Sequence, residues 1–283
     1  MRRVATLIAG PEGRAALAGI VAALDAAPDW LAPGEACDLE LGDEATLRRA
    51  IGGAPIDLVV QPAAGRRKRI LVADMEATII ENEMLDELAD FIGRRAEVAE
   101  ITRRAMNGEL DFAAALRERV GLLRGIPARV LDEAAARIRI MPGARELVAT
   151  MRAHGAATAL VSGGFTVFAE RVARELGFDR VSANRLAIAD GVIAGTVAAP
   201  IAGAAAKRAA LLALAAERGV APEAALAVGD GANDLPMLQA AGLGVAFRAK
   251  PAVAAAARWR IDHADLRALL YAQGYRKTEI VGG

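Results

Sequence analysis

A single cysteine, Cys37, in 283 residues excludes an intrachain disulfide framework and a cysteine-rich zinc site. Histidine is nearly as scarce. His154 and His263, the only two, are far apart, and neither stands in a metal-ligand pattern. His154, in "MRAHG", reads as a helix C-terminus where an imidazole meets free carbonyls. Excess charge of either sign is missing too, because 35 basic residues balance 35 acidic ones. No global field therefore favours nucleic acid or an acidic membrane. No uninterrupted apolar stretch reaches the length of a membrane span, since Arg, Glu and Asp break the Ala-rich segments. The N-terminus "MRRVATLIAGPEG" has only a short apolar run and is a poor signal peptide. A cytoplasmic protein is the expectation. Lysine occurs only at Lys68, Lys207, Lys250 and Lys277, so in this Arg-rich chain each lysine is an exception.

What the chain does have is apolar material for a core. It is 54% apolar and 25% charged, a globular composition, with a length comfortable for two domains. Residues 1–64 alternate short strands ("VATLIAG", "ACDLELG", "IDLVVQP") with helices ("RAALAGIVAALDAA", "EATLRRAIGG"). They read as a small α/β module. "GRRKR" (65–69) reads as a solvated linker. The main body, 65–283, opens with "RILVA" (69–73), the unalternating run expected of a parallel strand buried on both faces. From about 82 to 140 only helical patterns occur. After "MPGA" the α/β rhythm resumes: "ATALVSGG" as a strand and glycine turn, "DRVSANRLAIADGVIAGTV" as strands around "ADG", "LGVAF" as a last strand. The fold class is α/β, a parallel sheet interrupted after its first strand by a helical insertion. In open α/β sheets, sites form beyond the carboxyl ends of strands, where Asp74, Ser162 and Asp230 all fall.

Four pieces then combine: "DMEAT", "VSGG", Lys207 and "GDGAND". A strand-end Asp can act as nucleophile and form an aspartyl-phosphate. Phosphoryl transfer asks for charge stabilisation and alignment more than for covalent chemistry. A hard cation such as Mg²⁺ would bridge Asp74, Asp230 and a phosphate oxygen. Ser162 and the Gly163 N–H can hold further phosphate oxygens. Lys207 supplies a compact point charge where a forked guanidinium would not fit. Each piece alone is weak; the ordered set after buried strands is strong.

The chain from about residue 68 onward resembles the phosphoserine phosphatases of the haloacid dehalogenase superfamily, through "AMNGELDFAAALRERVGLL", "VSGGF", "ANRL" and "AVGDGANDLPMLQAAGLGVAFRAKP". The resemblance implies a Rossmann-like core, a helical cap at about 82–140, Mg²⁺, and hydrolysis of O-phosphoserine as the last step of serine biosynthesis. It makes Asp74 the nucleophile, and Asp230 and Asp234 metal-site acids. Ser162, Gly163, Lys207 and Asn233 become phosphate-binding and positioning groups. In the cap, Glu83 and Arg119 match the pair that recognises the serine amino and carboxylate groups, and a bidentate Arg suits a carboxylate. Met106 and Phe112 match residues that close over the substrate. The N-terminal module resembles a degenerate small regulatory fold of amino-acid-binding (ACT) type. The oligomeric state is open, a homodimer among the options.

One position departs from the pattern. Where the family has Asp, usually followed by Ser, this chain has Glu76 followed by Ala77. The family role of that acid is to protonate the leaving serine oxygen and then to activate water, while its main-chain carbonyl ligates the metal. Glu keeps the carbonyl and shifts the carboxylate by on the order of 1 Å, a displacement that can cost about 10²-fold. Ala77 leaves room for the longer acid. Three readings follow: a working phosphoserine phosphatase, a phosphatase or phosphotransferase acting on another small phosphomonoester, or a catalytically impaired protein that binds phosphoserine or serine.

Overall fold

The computed structural model describes residues 2–24, 26–40, 42–106 and 109–282, without the Met106 side chain. The N-terminal part runs β1 (Arg3–Ala9), α1 (Arg14–Ala23), β2 (Asp29–Ala32), β3 (Ala36–Glu40), α2 (Glu44–Ile51) and β4 (Ile56–Pro62). Its strands form an antiparallel sheet in the order β2-β3-β1-β4. The short strand β2, "DWLA", is absent from the sequence reading: four residues with an Asp show no usable alternation. Strand geometry sends successive side chains to opposite faces. Ala5, Leu7 and Ala9 of β1 therefore meet Leu17, Val21 and Leu47 of the helices. Ile8, with Leu31, Ala36 and Val59, packs into the larger core of the molecule.

That second face is the seam between the two sheets. Asp57 of β4 accepts N–H bonds from Asp262 (2.8 Å), His263 (3.2 Å) and Ala264 (2.9 Å). Trp259 Nε1 donates to Val60 O at 2.9 Å, and Gln61 Nε2 to Ala272 O at 2.6 Å. The basic run is not a solvated linker. Arg66 is half-buried and pairs with the buried Asp38 of β3 at 2.6 Å. Its guanidinium fills the space that a side chain at Gly274 (φ +77) would occupy. Arg67 pairs with Glu279 at 2.8 Å and lies 4.3 Å over the Tyr275 ring. Lys68 donates to the carbonyls of Gly65 and Glu223. The run rivets the N-terminal sheet to the C-terminal segment, over sequence separations that no local pattern can reveal.

The main body starts with β5 (Ile70–Asp74). A helical block follows: α3 (Met84–Phe91), α4 (Arg95–Met106), α5 (Phe112–Gly121) and α6 (Arg129–Ala135). Then come α7 (Ala144–Ala153), β6 (Ala157–Phe165), α8 (Thr166–Leu176), β7 (Arg180–Asn184), β8 (Leu186–Ala189), β9 (Val192–Val197) and α9 (Ala204–Glu217). The chain ends through β10 (Ala225–Gly229), α10 (Leu235–Ala240), β11 (Leu243–Phe247), α11 (Pro251–Ala256), β12 (Trp259–Ile261) and α12 (Ala268–Ala272). Six strands form a parallel sheet in the order β12-β11-β10-β5-β6-β7. β11 is not the last strand, because the three-residue β12 adds an edge. β8 and β9 form a separate hairpin whose turn has positive φ at Asp190 (50) and Gly191 (77), the signature of a primed turn. β9 packs on α5, so the hairpin supports the helical block.

Two local expectations change. β6 does not end in a glycine turn; it runs through Ser162, Gly163 and Gly164 to Phe165, with a register break between Val161 and Phe165. His154 does cap α7, but its ring meets the Tyr275 ring in a tilted contact, with centroids 4.9 Å apart.

Candidate active site

β5, β6 and β10 are neighbours in the sheet. Their carboxyl ends bring Asp74, Ser162 and Asp230 to one edge. Asp74 is 6% exposed. Its Oδ1 accepts the Met75 N–H at 2.8 Å and the Lys207 ammonium at 2.7 Å, so these contacts leave Oδ2 for chemistry. Lys207 projects from the first turns of α9 and also donates to Asp234 Oδ1 at 2.7 Å. Asp234, fully buried, takes the Gly231 N–H on its other oxygen at 3.0 Å.

Asp74, Asp230 and Asp234 offer oxygens within 4.8 Å of one another. When ionised, the three carboxylates outnumber the Lys207 ammonium and the Lys250 charge that also acts on Asp230. Burial pushes the Asp74 carboxyl well up, Asp234 and Asp230 add to this, and Lys207 opposes it. Desolvation works against the Lys207 charge, but Asp74 and Asp234 outweigh it and hold its pKa up. An oxygen-only donor set with this charge deficit fits a hard divalent cation such as Mg²⁺.

Ser162, 2% exposed, accepts the Gly164 N–H on its Oγ at 2.9 Å, which leaves its own proton to donate. The side chain of Asn233 lies between Gly231 and Gly163; its amide nitrogen is 3.9 Å from where a Cβ on Gly163 would stand.

The turn after β5 holds Ala77 at φ 51, ψ 10, a left-handed conformation that a small side chain tolerates best. The Glu76 carboxylate turns toward the helical block and accepts the Met84 N–H at 3.0 Å. It rests against Gly164, where a Cβ would come within 2.9 Å of Oε2. Its carboxyl is pushed up to about 7, first by burial and then by Glu83. Gly164 is a residue the sequence reading missed; it makes room for the longer acid.

From the helical block, Phe112 (36% exposed) sets its ring over Gly163 and Gly203, 3.1 and 3.2 Å from where their Cβ atoms would be. Arg119, on the same helix and half-buried, donates from Nε to Ala115 O at 3.3 Å. Glu83, just before α3, keeps solvent access, yet partial desolvation raises its carboxyl, with Asp230 adding to the shift. Lys250, at the N-cap of α11, and Arg119, on α5, both oppose that rise. Met106 closes α4, and its side chain lies outside the described residues. Lys250, Gly203 and Asn184 carry no role in the sequence reading. Lys250 stood out only as a rare lysine, and Asn184 only within "ANRL".

A family model described as haloacid dehalogenase-like hydrolase matches residues 71–239. A phosphoserine phosphatase of Mycobacterium tuberculosis is 44% identical over 227 residues, 80% of this chain and 56% of that protein. The chain thus spans just over half the length of that relative. One from Streptococcus thermophilus is 45% identical over 199 residues, 70% of this chain and 93% of that protein. The crystal structure of a haloacid dehalogenase family hydrolase from Salmonella enterica serovar Typhi matches with a TM-score of 0.86 at 30% identity, covering 96% of this chain and 98% of that one. With matches of this extent over the same strands that carry the aspartate cluster, the chain belongs to the haloacid dehalogenase-like hydrolase family, on the branch where the phosphoserine phosphatases lie.

Proposed function

We propose that this chain hydrolyses O-phospho-L-serine to L-serine and phosphate through an aspartyl-phosphate on Asp74. The observation that carries this reading is the buried Asp74–Lys207–Asp234 pairing, with Asp230 beside it, beneath a helical block that presents Glu83 and Arg119. A zwitterionic amino acid needs one fixed anion and one fixed cation, and these two fit its amino and carboxylate groups.

In the first step an Asp74 oxygen attacks phosphorus and the bond to the serine oxygen breaks. Glu76, protonated below about pH 7, delivers the proton to that oxygen. In the second step Glu76, now ionised, takes a proton from water as the water attacks phosphorus, and Asp74 is released from phosphate. Lys207, the Ser162 hydroxyl, the Gly163 N–H and Asn233 hold the phosphoryl oxygens. Mg²⁺, held by Asp74, Asp230 and the Glu76 main-chain carbonyl with Asp234 behind, would supply charge neutralisation at those oxygens. Phe112, with Met106, closes over the substrate and excludes water during the first step. We place the reaction in the cytoplasm, as the serine-forming step. The relatives' name, phosphoserine phosphatase, supports the serine-forming step. Among the described residues no helix is long and apolar enough to cross a membrane.

A second reading rests on the Met84 N–H bond that draws Glu76 toward α3. An acid held there handles water poorly, and the phosphoryl group would pass to an alcohol or not leave at all. Phosphate release from O-phospho-L-serine with Mg²⁺ tests both. Native turnover that is lost in Asp74→Asn and similar in Glu76→Asp is the expected result. A silent native chain revived by Glu76→Asp would overturn it in favour of an impaired binding protein. Turnover only with added serine as acceptor would make it a phosphotransferase.

A further inference from the structure

Asn184 lies at the end of β7, the outermost strand beside β6, and is 2% exposed. Its side chain is fully engaged. Nδ2 donates to Gly163 O at 2.9 Å and to Ala202 O at 3.1 Å, and Oδ1 accepts the Ala202 N–H at 2.7 Å. The two segments it joins are the ones the reaction needs in register. One is the Ser162–Gly164 end of β6. The other is the approach to α9: Gly203 O accepts the Lys207 N–H at 3.2 Å and so opens the helix one turn before Lys207. Phe112 rests on Gly163, itself tied to Asn184, and on Gly203, next to the tied Ala202.

We infer that Asn184 is a positioning residue that fixes the phosphate-holding end of β6 against the start of α9, setting Ser162, Gly163 and Lys207 at one spacing and forming the seat for Phe112. Asn184 faces backbone only; it acts through the groups it holds. The chemistry of an amide side chain is required. Two carbonyls face Nδ2 and one N–H faces Oδ1, and only an amide offers donors and an acceptor in that plane. Leucine-sized filling would leave three part-buried backbone groups without this partner. An aspartate would set an oxygen against two carbonyl oxygens.

The inference rests on the proposed phosphoryl chemistry but not on phosphoserine as the substrate. Its test compares native chain, Asn184→Asp and Asn184→Ser on O-phospho-L-serine and on p-nitrophenyl phosphate, which lacks amino and carboxylate groups. In each folded variant kcat should fall about 10²-fold, the order of loss for a misplaced reacting group. The factor should be the same on both esters, because the displaced groups act on the phosphoryl they share. Calorimetric affinity for orthophosphate with Mg²⁺ should fall alongside. Phe112→Ala should cost less in the Asn184→Ser background than in the native one. Unchanged kcat per folded molecule, with only a lower melting temperature, would overturn the inference, as would a loss confined to phosphoserine. If the native chain cleaves p-nitrophenyl phosphate but not phosphoserine, the substrate assignment fails and the Asn184 comparison stands on the other ester. If it cleaves neither, the orthophosphate affinities decide: equal values in native and variants overturn the inference.

Discussion

The extra methylene of Glu76 is accommodated by Gly164, whose missing side chain would otherwise sit 2.9 Å from Oε2. Gly164→Ala should therefore lower kcat by at least 10-fold in the native chain and markedly less beside Glu76→Asp, because the shorter acid clears the methyl group. Additive losses in a double-mutant cycle would separate the two positions. The same carboxyl sets a pH dependence. Its folded pKa of about 7 lies above the ordinary value of 4.5. The proton that Glu76 is proposed to donate is thus present below about pH 7 and lost as pH rises through it. The rate of phosphoenzyme formation should fall above pH 7. Glu83→Gln should move that falling limb to lower pH, because a neighbouring negative charge is removed. A rapid-quench pH profile, native against Glu83→Gln, reads this directly; an unmoved limb would assign it to another group.

Helix α5 carries both Phe112 and Arg119, and its first turn is held by Asp111, whose Oδ1 accepts the Ala114 N–H at 2.7 Å. Loss of such a cap costs about 1 kcal/mol. If that cost falls on closure of the helical block over the substrate, Asp111→Ala should raise KM about five-fold at nearly constant kcat. Steady-state kinetics on phosphoserine checks it, and an equal fall in kcat would place the cap on the chemical step. The hairpin β8–β9 supports the helical block, through the packing of β9 on α5 and the Pro127–Val192 bridge to the segment between α5 and α6. It therefore acts with the helical block although it follows β7 in sequence.

The two sheets share one apolar cluster, in which Ile8 and Val59 of the N-terminal sheet meet Leu266, Leu269 and Tyr271 of the C-terminal segment. One cooperative thermal transition for the whole chain is expected, and two resolved calorimetric peaks would refute it. Asp57→Ala leaves three backbone N–H groups of residues 262–264 without their acceptor. At about 1–3 kcal/mol for an unsatisfied buried group, the melting temperature should drop by several degrees while kcat on a phosphate ester stays near native, since the N–H groups that Asp57 accepts belong to none of the proposed site residues.

Much of the active-site edge was legible locally. A buried run ending in Asp74, "ALAVG" ending before Asp230, and Lys207 as a rare lysine each encode strand-end or charge chemistry within a few residues. Short edge strands were not legible: β2 and β12 are four and three residues long and owe their existence to the neighbour they pair with. The basic run 65–69 looked like a linker because its partners, Gly274 and Glu279, lie 207 and 212 residues from Arg67. The sequence by itself determined the α/β class, the parallel core and the residue types of the proposed phosphate site, since periodicity and strand-end chemistry are local. Only the tertiary structure decided where Glu76 points, what Asn184 ties together and how the N-terminal sheet is clamped, because those outcomes depend on packing between segments that meet only when the chain is folded.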